Sequence, residues 1–243
     1  MKLISLNIEG KKHLDRVLPF LETELPAVIC LQEAPEDLQD WLTQKNYHVT
    51  FAPMTCRTTD THTFREGVLI ASALPHIAQT HYYFGHPNEI RTYDSEKRRD
   101  SIAHVVICAT VGDYTIATTH LPAPPHGELF YEPLATDIAA LRSHLSSVGP
   151  HFLMGDMNTP RGINPSHPDL VADYTDHIPP SYTSSLDRAL HRLGTNPEKT
   201  QLFDSFMVDY LFSTPEYTAT DVRLQFGLSD HAGIVAEVKL LPH

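Results

Sequence analysis

Apolar runs in this sequence end, again and again, in an ionisable or amide side chain. LISLN closes on Asn7, VICLQE on Glu33, TIATTH on His120, and FLMGDMN on Asp156 and Asn158. Asp209 sits inside FMVDYLF, and Asp230 and His231 stand just before the last apolar run, AGIVAEVKL. A charged group beside buried backbone is costly unless it is paired, hydrogen-bonded or bound to a metal ion. Each residue taken singly has a structural explanation: Asn7 as a turn, Glu33 as a neighbour of a helix N-cap, His120 as a satisfied core histidine. Recurrence at so many strand ends is not explained by coincidence. Asp156 and Asn158 are two positions apart and point the same way in extended backbone. A carboxylate and an amide so placed can hold a polar ligand, or can cap a turn through their own backbone. Asp209 is flanked by Met207, Val208, Leu211 and Phe212, so it is expected to be buried and to need a cationic or donor partner. His231 is the natural one. A carboxylate on one imidazole nitrogen fixes the tautomer, favours the charged ring and leaves the other nitrogen for a reacting group.

Strands and helices must present these groups. Residues 2–8, KLISLNI, read as a strand, and AVICLQE as a central strand covered on both faces. Between them Leu14, Val17, Leu18, Leu21 and Leu25 follow helical spacing, with a kink expected at Pro19. Pro35 is expected to open a short helix running through Leu42. YHVTFAP, GVLIAS and IAQTHYYF read as strands, and Gly85 to Asp100 as a polar loop. SIAHVVICAT and YTIATTH flank a hairpin signal at Gly112-Asp113. A helix is expected from about Pro133 to Ser147, with Leu134, Ile138, Leu141 and Leu145 on one face. HFLMGD is the next strand. Residues 159–204 are rich in proline and polar side chains, with one helical-looking piece at Leu186–Leu193. SFMVDYLFS, ATDVRLQFG and AGIVAEVKL complete the strands. No composition break marks a linker, so residues 1–243 are expected to form a single mixed α/β domain. No short repeat is present, although each half runs from one strand with a polar end to another.

Composition narrows the function classes. The 243 residues are 41% hydrophobic and 20% charged, ordinary for a globular protein. Thirty acidic against eighteen basic residues give a net charge of −12. A protein that grips long nucleic acid needs a basic face to displace counterions, and the only dense basic cluster here is Lys97-Arg98-Arg99. Acidic side chains gathered around a divalent ion would account for part of the excess. The 16 histidines are scattered, and the three cysteines form neither a CxxC pair nor a disulfide framework. MKLISLNIEG turns polar too soon for a signal peptide, and no apolar run is long enough to span a membrane. A cytoplasmic location is expected.

SLNIEG, LQE, TTHLP, GDMN, VDYLF and SDH, in this order, resemble the endonuclease/exonuclease/phosphatase superfamily, the fold of deoxyribonuclease I. Each motif is weak alone; six in order from Asn7 to His231 are specific. The resemblance implies a four-layer α/β sandwich, two mostly antiparallel sheets packed face to face with helices outside. It also implies a hydrolase of phosphate esters that uses Mg²⁺ or Mn²⁺, held by Glu33 and Asn7 with Asp230 nearby. Asp156 would then orient or deprotonate the attacking water, and Asn158 and His120 would donate to phosphate oxygens. His231, held by Asp209, would act as base or as cationic stabiliser. Within the superfamily, TTHLPAPPHGE resembles the deoxyribonuclease I-like, deadenylase and tyrosyl-DNA phosphodiesterase branches, whereas VDYLF departs from the WCDR of inositol-polyphosphate phosphatases. The expected substrate is a nucleic-acid or nucleotide phosphodiester. A small or lipid-derived phosphomonoester is the alternative, and a decayed binding module a remote third. Lys97, Arg98, Arg99 and Arg161 are candidates for a short substrate track, and His126 for a surface loop residue that could touch substrate.

Overall fold

In chain order the computed structural model runs β1 (Lys2–Asn7), α1 (Leu14–Glu24), β2 (Val28–Pro35), α2 (Leu38–Gln44), β3 (His48–Thr58) and β4 (Thr63–Ser72). There follow β5 (His76–Phe84), α3 (Arg98–Ser101), β6 (His104–Val111), β7 (Tyr114–Thr119), α4 (Glu132–Leu145) and β8 (Phe152–Asp156). The chain closes with α5 (His167–Val171), β9 (Thr175–Asp176), α6 (Leu202–Ser205), β10 (Asp209–Ser213), β11 (Tyr217–Gln225) and β12 (Gly233–Leu240). The structure describes residues 1–59, 62–124, 131–196 and 202–242. Among them no helix is long and apolar enough to cross a membrane.

The strands form two six-stranded sheets, ordered β11-β12-β1-β2-β4-β3 and β5-β6-β7-β8-β10-β9. Alternation along the strands explains why they pack face to face. Leu3, Val28, Cys30 and Ile70 of the first sheet meet Ile107, Phe152, Met154 and Leu211 of the second in one apolar core. The intervening residues Ile4, Leu6, Ile29 and Leu31 point the other way, onto Val17 and Leu21 of α1 and Leu38 and Leu42 of α2. Both faces of the central strands are therefore covered, and their sequences read as nearly unbroken apolar runs. Burying Leu or Ile to this extent contributes about 1.5–3 kcal/mol per side chain. Leu134, Ile138, Leu141 and Leu145 of α4 join the same core and are all buried.

Neighbouring strands are antiparallel with one exception in each sheet. β1 and β2 are parallel, as are β7 and β8. Each parallel pair needs a crossover, and the chain supplies α1 for the first and α4 for the second. Asn7, Glu33, His120 and Asp156 are thus gathered at the C-terminal ends of two equivalent pairs.

Three local expectations change. Pro35 does not open a helix; it ends β2 opposite Glu66, and α2 begins three residues later. The residue before a proline favours extended backbone, so Ala34-Pro35 prolongs the strand. Residues 186–193 form no helix: Leu186 makes an isolated bridge and turns follow from residue 188, because the Asp187 carboxylate accepts from Ala189 N at 2.9 Å and Gly227 N at 2.7 Å and holds the chain in a loop. The 85–100 segment is not wholly loop, for α3 begins at Arg98.

Gly155 sets the spacing of β7 and β8. Its φ is +136°, and a Cβ there would lie 2.0 Å from the Thr119 carbonyl oxygen. Gly155→Ala must force the two strands apart, and it is expected to cost about 3 kcal/mol or more. Urea unfolding would check this; an unchanged midpoint would show that the strands can yield.

Candidate active site

The Asn7 amide joins the two sheets. Its Nδ2 donates to Asp156 Oδ2 at 3.1 Å and lies 3.3 Å from Glu33 Oε1, so one side chain touches a carboxylate from each parallel pair. Glu33 reaches this point because β2 carries an extra residue between Leu31 and Ala34 relative to β4. The bulge puts Glu33 at φ +52°, a left-handed conformation that costs a non-glycine residue free energy and recurs at functional sites. Burial pushes the Glu33 carboxyl up, but His120, Arg57 and the Asn7 amide outweigh it and hold the pKa below its ordinary value.

Asp156 is the centre of the second half. It is 2% exposed, and its Oδ2 lies 3.4 Å from His120 Nε2 and 3.8 Å from His231 Nε2. Burial raises its pKa, Asp209 adds to the rise, and the two imidazoles oppose it. His120 is held from behind. Burial takes the His104 ring down to about 3, so it is neutral, and its Nδ1 donates to His120 O at 3.1 Å.

Asn158 combines both readings of GDMN. The backbone is not extended there but left-handed, with φ +48°, a conformation that asparagine tolerates. Its N–H donates to Asp156 Oδ1 at 2.9 Å and its side-chain Nδ2 to Leu121 O at 2.9 Å. The capped turn orients the Asp156 carboxylate and carries the amide to the His120 loop.

The pairing of Asp209 with His231 is present. Asp209 lies opposite Asp156 in the β8/β10 register, and its Oδ2 accepts from His231 Nδ1 at 2.8 Å. Ser185 holds the backbone on both sides of the pair. Its hydroxyl accepts from Asp209 N at 3.1 Å, its carbonyl accepts from Ala232 N, and the next residue, Leu186, bridges to His231. Burial works against a charged imidazole, yet Asp209, Asp156 and Asp230 raise His231 well above its ordinary value. Asp230 accepts from Ser229 Oγ at 3.0 Å. Burial raises its carboxyl to about 6, with His231 opposing and Glu9 and Glu33 adding to the rise.

Two sets of these groups could hold a metal ion. Glu9 and Glu33 push the Asp230 carboxyl up, and Asn7 turns its Nδ2 to Glu33 and Asp156 while its Oδ1 accepts from Glu9 N at 3.2 Å. Carboxylate oxygens, with the Asn7 amide oxygen once it is released from Glu9 N, are the hard donors that suit Mg²⁺ or Mn²⁺. Asp156, Asp209 and His231 also bring one ligand atom each within 4.8 Å. In that cluster His231 already donates one nitrogen to Asp209 and is held charged, so a metal would have to displace its proton.

The basic candidates divide. Arg99 is clamped onto buried Asp137 by both terminal nitrogens, with Nη2 to Oδ1 at 2.8 Å, and its guanidinium lies 3.9 Å from the Phe84 ring centre. Arg161 is committed to Asp176, Ile178 O and Tyr182 O. These two serve the fold. Lys97 and Arg98 form no ion pair among the described residues; they line a cavity of about 410 Å³ with His104, Pro122, Ala123 and Tyr131. Pro122 follows His120 by two residues, so this cavity adjoins the site. His126 lies outside the described residues.

Sequence reading missed Arg57 and Glu66. Arg57 Nε donates to Glu66 Oε1 at 2.8 Å, and its Nη2 lies 3.9 Å from Glu33 Oε2. Neither residue ends an apolar run, so the pattern that marked the other residues passes over both.

The fold and this constellation can be set beside known proteins. No curated protein matches the sequence. An endonuclease/exonuclease/phosphatase from Beutenbergia cavernae superimposes with a TM-score of 0.69 at 20% identity, over 99% of this chain and 71% of that one. A 3'-5' exonuclease from Neisseria meningitidis gives 0.63 at 18% identity, over 98% and 99%. TDP2 of D. rerio, complexed with a single-strand DNA product, gives 0.65 at 15% identity, over 98% of each chain. At these identities the likeness is one of fold, the deoxyribonuclease I-like sandwich of two mixed sheets. The family model described as the Endonuclease/Exonuclease/phosphatase family matches residues 4–231, nearly the whole chain, and the protein belongs to that family.

Proposed function

We propose that this protein is a divalent-metal-dependent phosphodiesterase that cleaves short or terminal nucleic-acid phosphoesters by in-line attack of water. Members of its family are phosphoester hydrolases, nucleases and phosphatases among them. The observation that carries the reading is the convergence of Asn7, His120 and His231 on Asp156, with Glu33 joined through the Asn7 amide and Asp209 behind His231. The whole 1–243 chain is read as one catalytic domain.

In this reading Glu33, Asn7 and Asp230 would hold Mg²⁺ or Mn²⁺. The ion would polarise a phosphoryl oxygen and offset charge as the bond to the leaving group breaks. The protein's own groups have complementary roles. His231 is held protonated and donates a hydrogen bond, while Asp156 is the acceptor that orients the water and takes its proton. His120, and Asn158 through the amide N–H not given to Leu121 O, donate to phosphoryl oxygens. Preorganised donors aimed at developing charge in a dry site are the largest source of such acceleration.

The substrate class rests on charge. Of the four basic candidates, Arg99 and Arg161 are committed elsewhere, which leaves Lys97 and Arg98 to follow a phosphate backbone. Two phosphate contacts on single-stranded DNA imply a salt slope of about −1.4, so affinity should fall about 7-fold between 50 and 200 mM salt. The double variant Lys97→Ala, Arg98→Ala is expected to lower kcat/KM about 10-fold on a short single-stranded oligonucleotide. On a bis-aryl phosphodiester it should change by less than about 2-fold. Equal losses on both would remove the cavity from substrate binding. The same scarcity of cations favours a small phosphomonoester as the second reading. The experiment that separates them is an activity panel with Mg²⁺ and Mn²⁺ on single- and double-stranded DNA, RNA, a bis-aryl phosphodiester and an aryl phosphomonoester. Faster turnover of the monoester would favour the phosphatase, and no turnover of any of them would sink both.

A further inference from the structure

Arg57 belongs to no part of the mechanism above, yet its Nη2 lies 3.9 Å from Glu33 Oε2. It lies near the end of β3, where residues 91–93 run alongside the strand. Cys56 N donates to Arg91 O and Tyr93 N to Cys56 O, each at 2.8 Å. This pairing brings the Tyr93 ring centre to 3.8 Å from the guanidinium carbon. On the other side Glu66, 5% exposed, accepts from Arg57 Nε at 2.8 Å. Ring, carboxylate and strand together hold the guanidinium in one place.

The way it is held is informative. An arginine needed only to balance a buried carboxylate does best with a bidentate, fork-on-fork contact, as Arg99 makes with Asp137. Arg57 instead meets Glu66 through Nε. Its terminal nitrogens approach Glu33 Oε2 only to 3.9 Å, beyond hydrogen-bonding range. The side chain is 27% exposed, and among the described residues no hydrogen bond holds its terminal nitrogens.

We propose that Arg57 is a substrate-binding residue whose terminal N–H groups hold a phosphate oxygen beside Glu33. The proposal rests on the phosphoester reading and extends it. The substrate anion is gripped from the first sheet by Arg57 as well as from the second by His120 and Asn158. A planar fork matches an oxyanion in a way that an ammonium does not. A guanidinium already fixed by Tyr93 and Glu66 loses little freedom when the anion arrives.

The test is calorimetric binding of deoxythymidine 5′-monophosphate at saturating Mg²⁺, with Mg²⁺ affinity measured in parallel. The variants are Arg57→Gln, Arg57→Lys and Tyr93→Leu. Arg57→Gln should bind the nucleotide about 10- to 100-fold more weakly, the usual worth of a hydrogen bond to a charged group. Arg57→Lys keeps a cation beside Glu66 and Glu33 and should still lose several-fold, because it lacks the fork. Tyr93→Leu, which leaves the ion pair intact, should lose about 3-fold. If Arg57→Gln fails to fold around an unpaired Glu66, the other two variants decide the matter. A wild-type protein that binds no nucleotide would overturn the phosphoester reading and the clamp with it. Nucleotide affinities equal to wild type would overturn the clamp alone. So would losses abolished by raising Mg²⁺, since Arg57 would then act only through Glu33.

Discussion

Alanine at Asp209 or at His231 is expected to cost on the order of 100-fold or more in kcat, and the double variant to be little worse than the poorer single. The two side chains make one unit. His231 Nδ1 donates to Asp209 Oδ2 at 2.8 Å, and both residues are buried. Without Asp209 the imidazole loses its orientation and most of its positive charge; without His231 a buried carboxylate is left beside Asp156. Asp209→Asn keeps the volume and should behave like the alanine variant in rate, because the amide neither fixes the tautomer nor supports the charge. Losses that multiply in the double variant would show that the residues act separately. Stability gives an independent reading of the pair. The folded pKa of His231 is raised, so its contribution is complete below the unfolded value of about 6.5 and is lost as pH rises through the folded value. The stability gap between wild type and Asp209→Asn should therefore narrow towards alkaline pH. A gap that widens would contradict the charged imidazole.

Chelation is expected to abolish hydrolysis, with Mg²⁺ or Mn²⁺ restoring it, and Glu33→Gln is expected to raise the Mg²⁺ concentration needed for half-activity about 10- to 100-fold. Glutamine preserves the length of the side chain and an oxygen for the Asn7 amide, so the thermal midpoint should move little. The comparison that matters is with Asp209→Asn. If the ion is held by Glu33, Asn7 and Asp230, Asp209→Asn should lower the rate at saturating Mg²⁺ without moving the half-activating concentration. If the ion sits instead among Asp156, Asp209 and His231, the two variants should exchange behaviours. Full activity in excess chelator would remove the metal from the reaction altogether.

Much of this site is legible in the chain because its signals are local. The alternation of KLISLN and VICLQE, the glycine before Asp156 and the apolar surroundings of Asp209 each occupy a few residues. A charged group that ends an apolar run must be satisfied, which is enough to mark Asn7, Glu33, His120, Asp156 and Asp209 and to join Asp209 with His231. The order of the short motifs carries the family. Even so, the local reading of GDMN is incomplete. Asp156 and Asn158 are two apart in sequence, but the left-handed turn at Asn158 ties the amide to Leu121 O instead of leaving it parallel to the carboxylate.

What the tertiary structure alone decides is which charges meet. Arg99 and Arg161 read as free cations in sequence, and folding gives them Asp137 on α4 and Asp176 on β9. Arg57 reads as an ordinary polar residue, and the pairing of β3 with β4 and with residues 91–93 surrounds it with Glu66, Glu33 and Tyr93. The bulge that turns Glu33 toward the Asn7 amide exists only in the register of β2 against β4. The physical reason is one of range. Burial and backbone preference are set by neighbours a few residues away, whereas an ion pair forms wherever distant strands and loops bring opposite charges within about 4 Å in a medium of low dielectric.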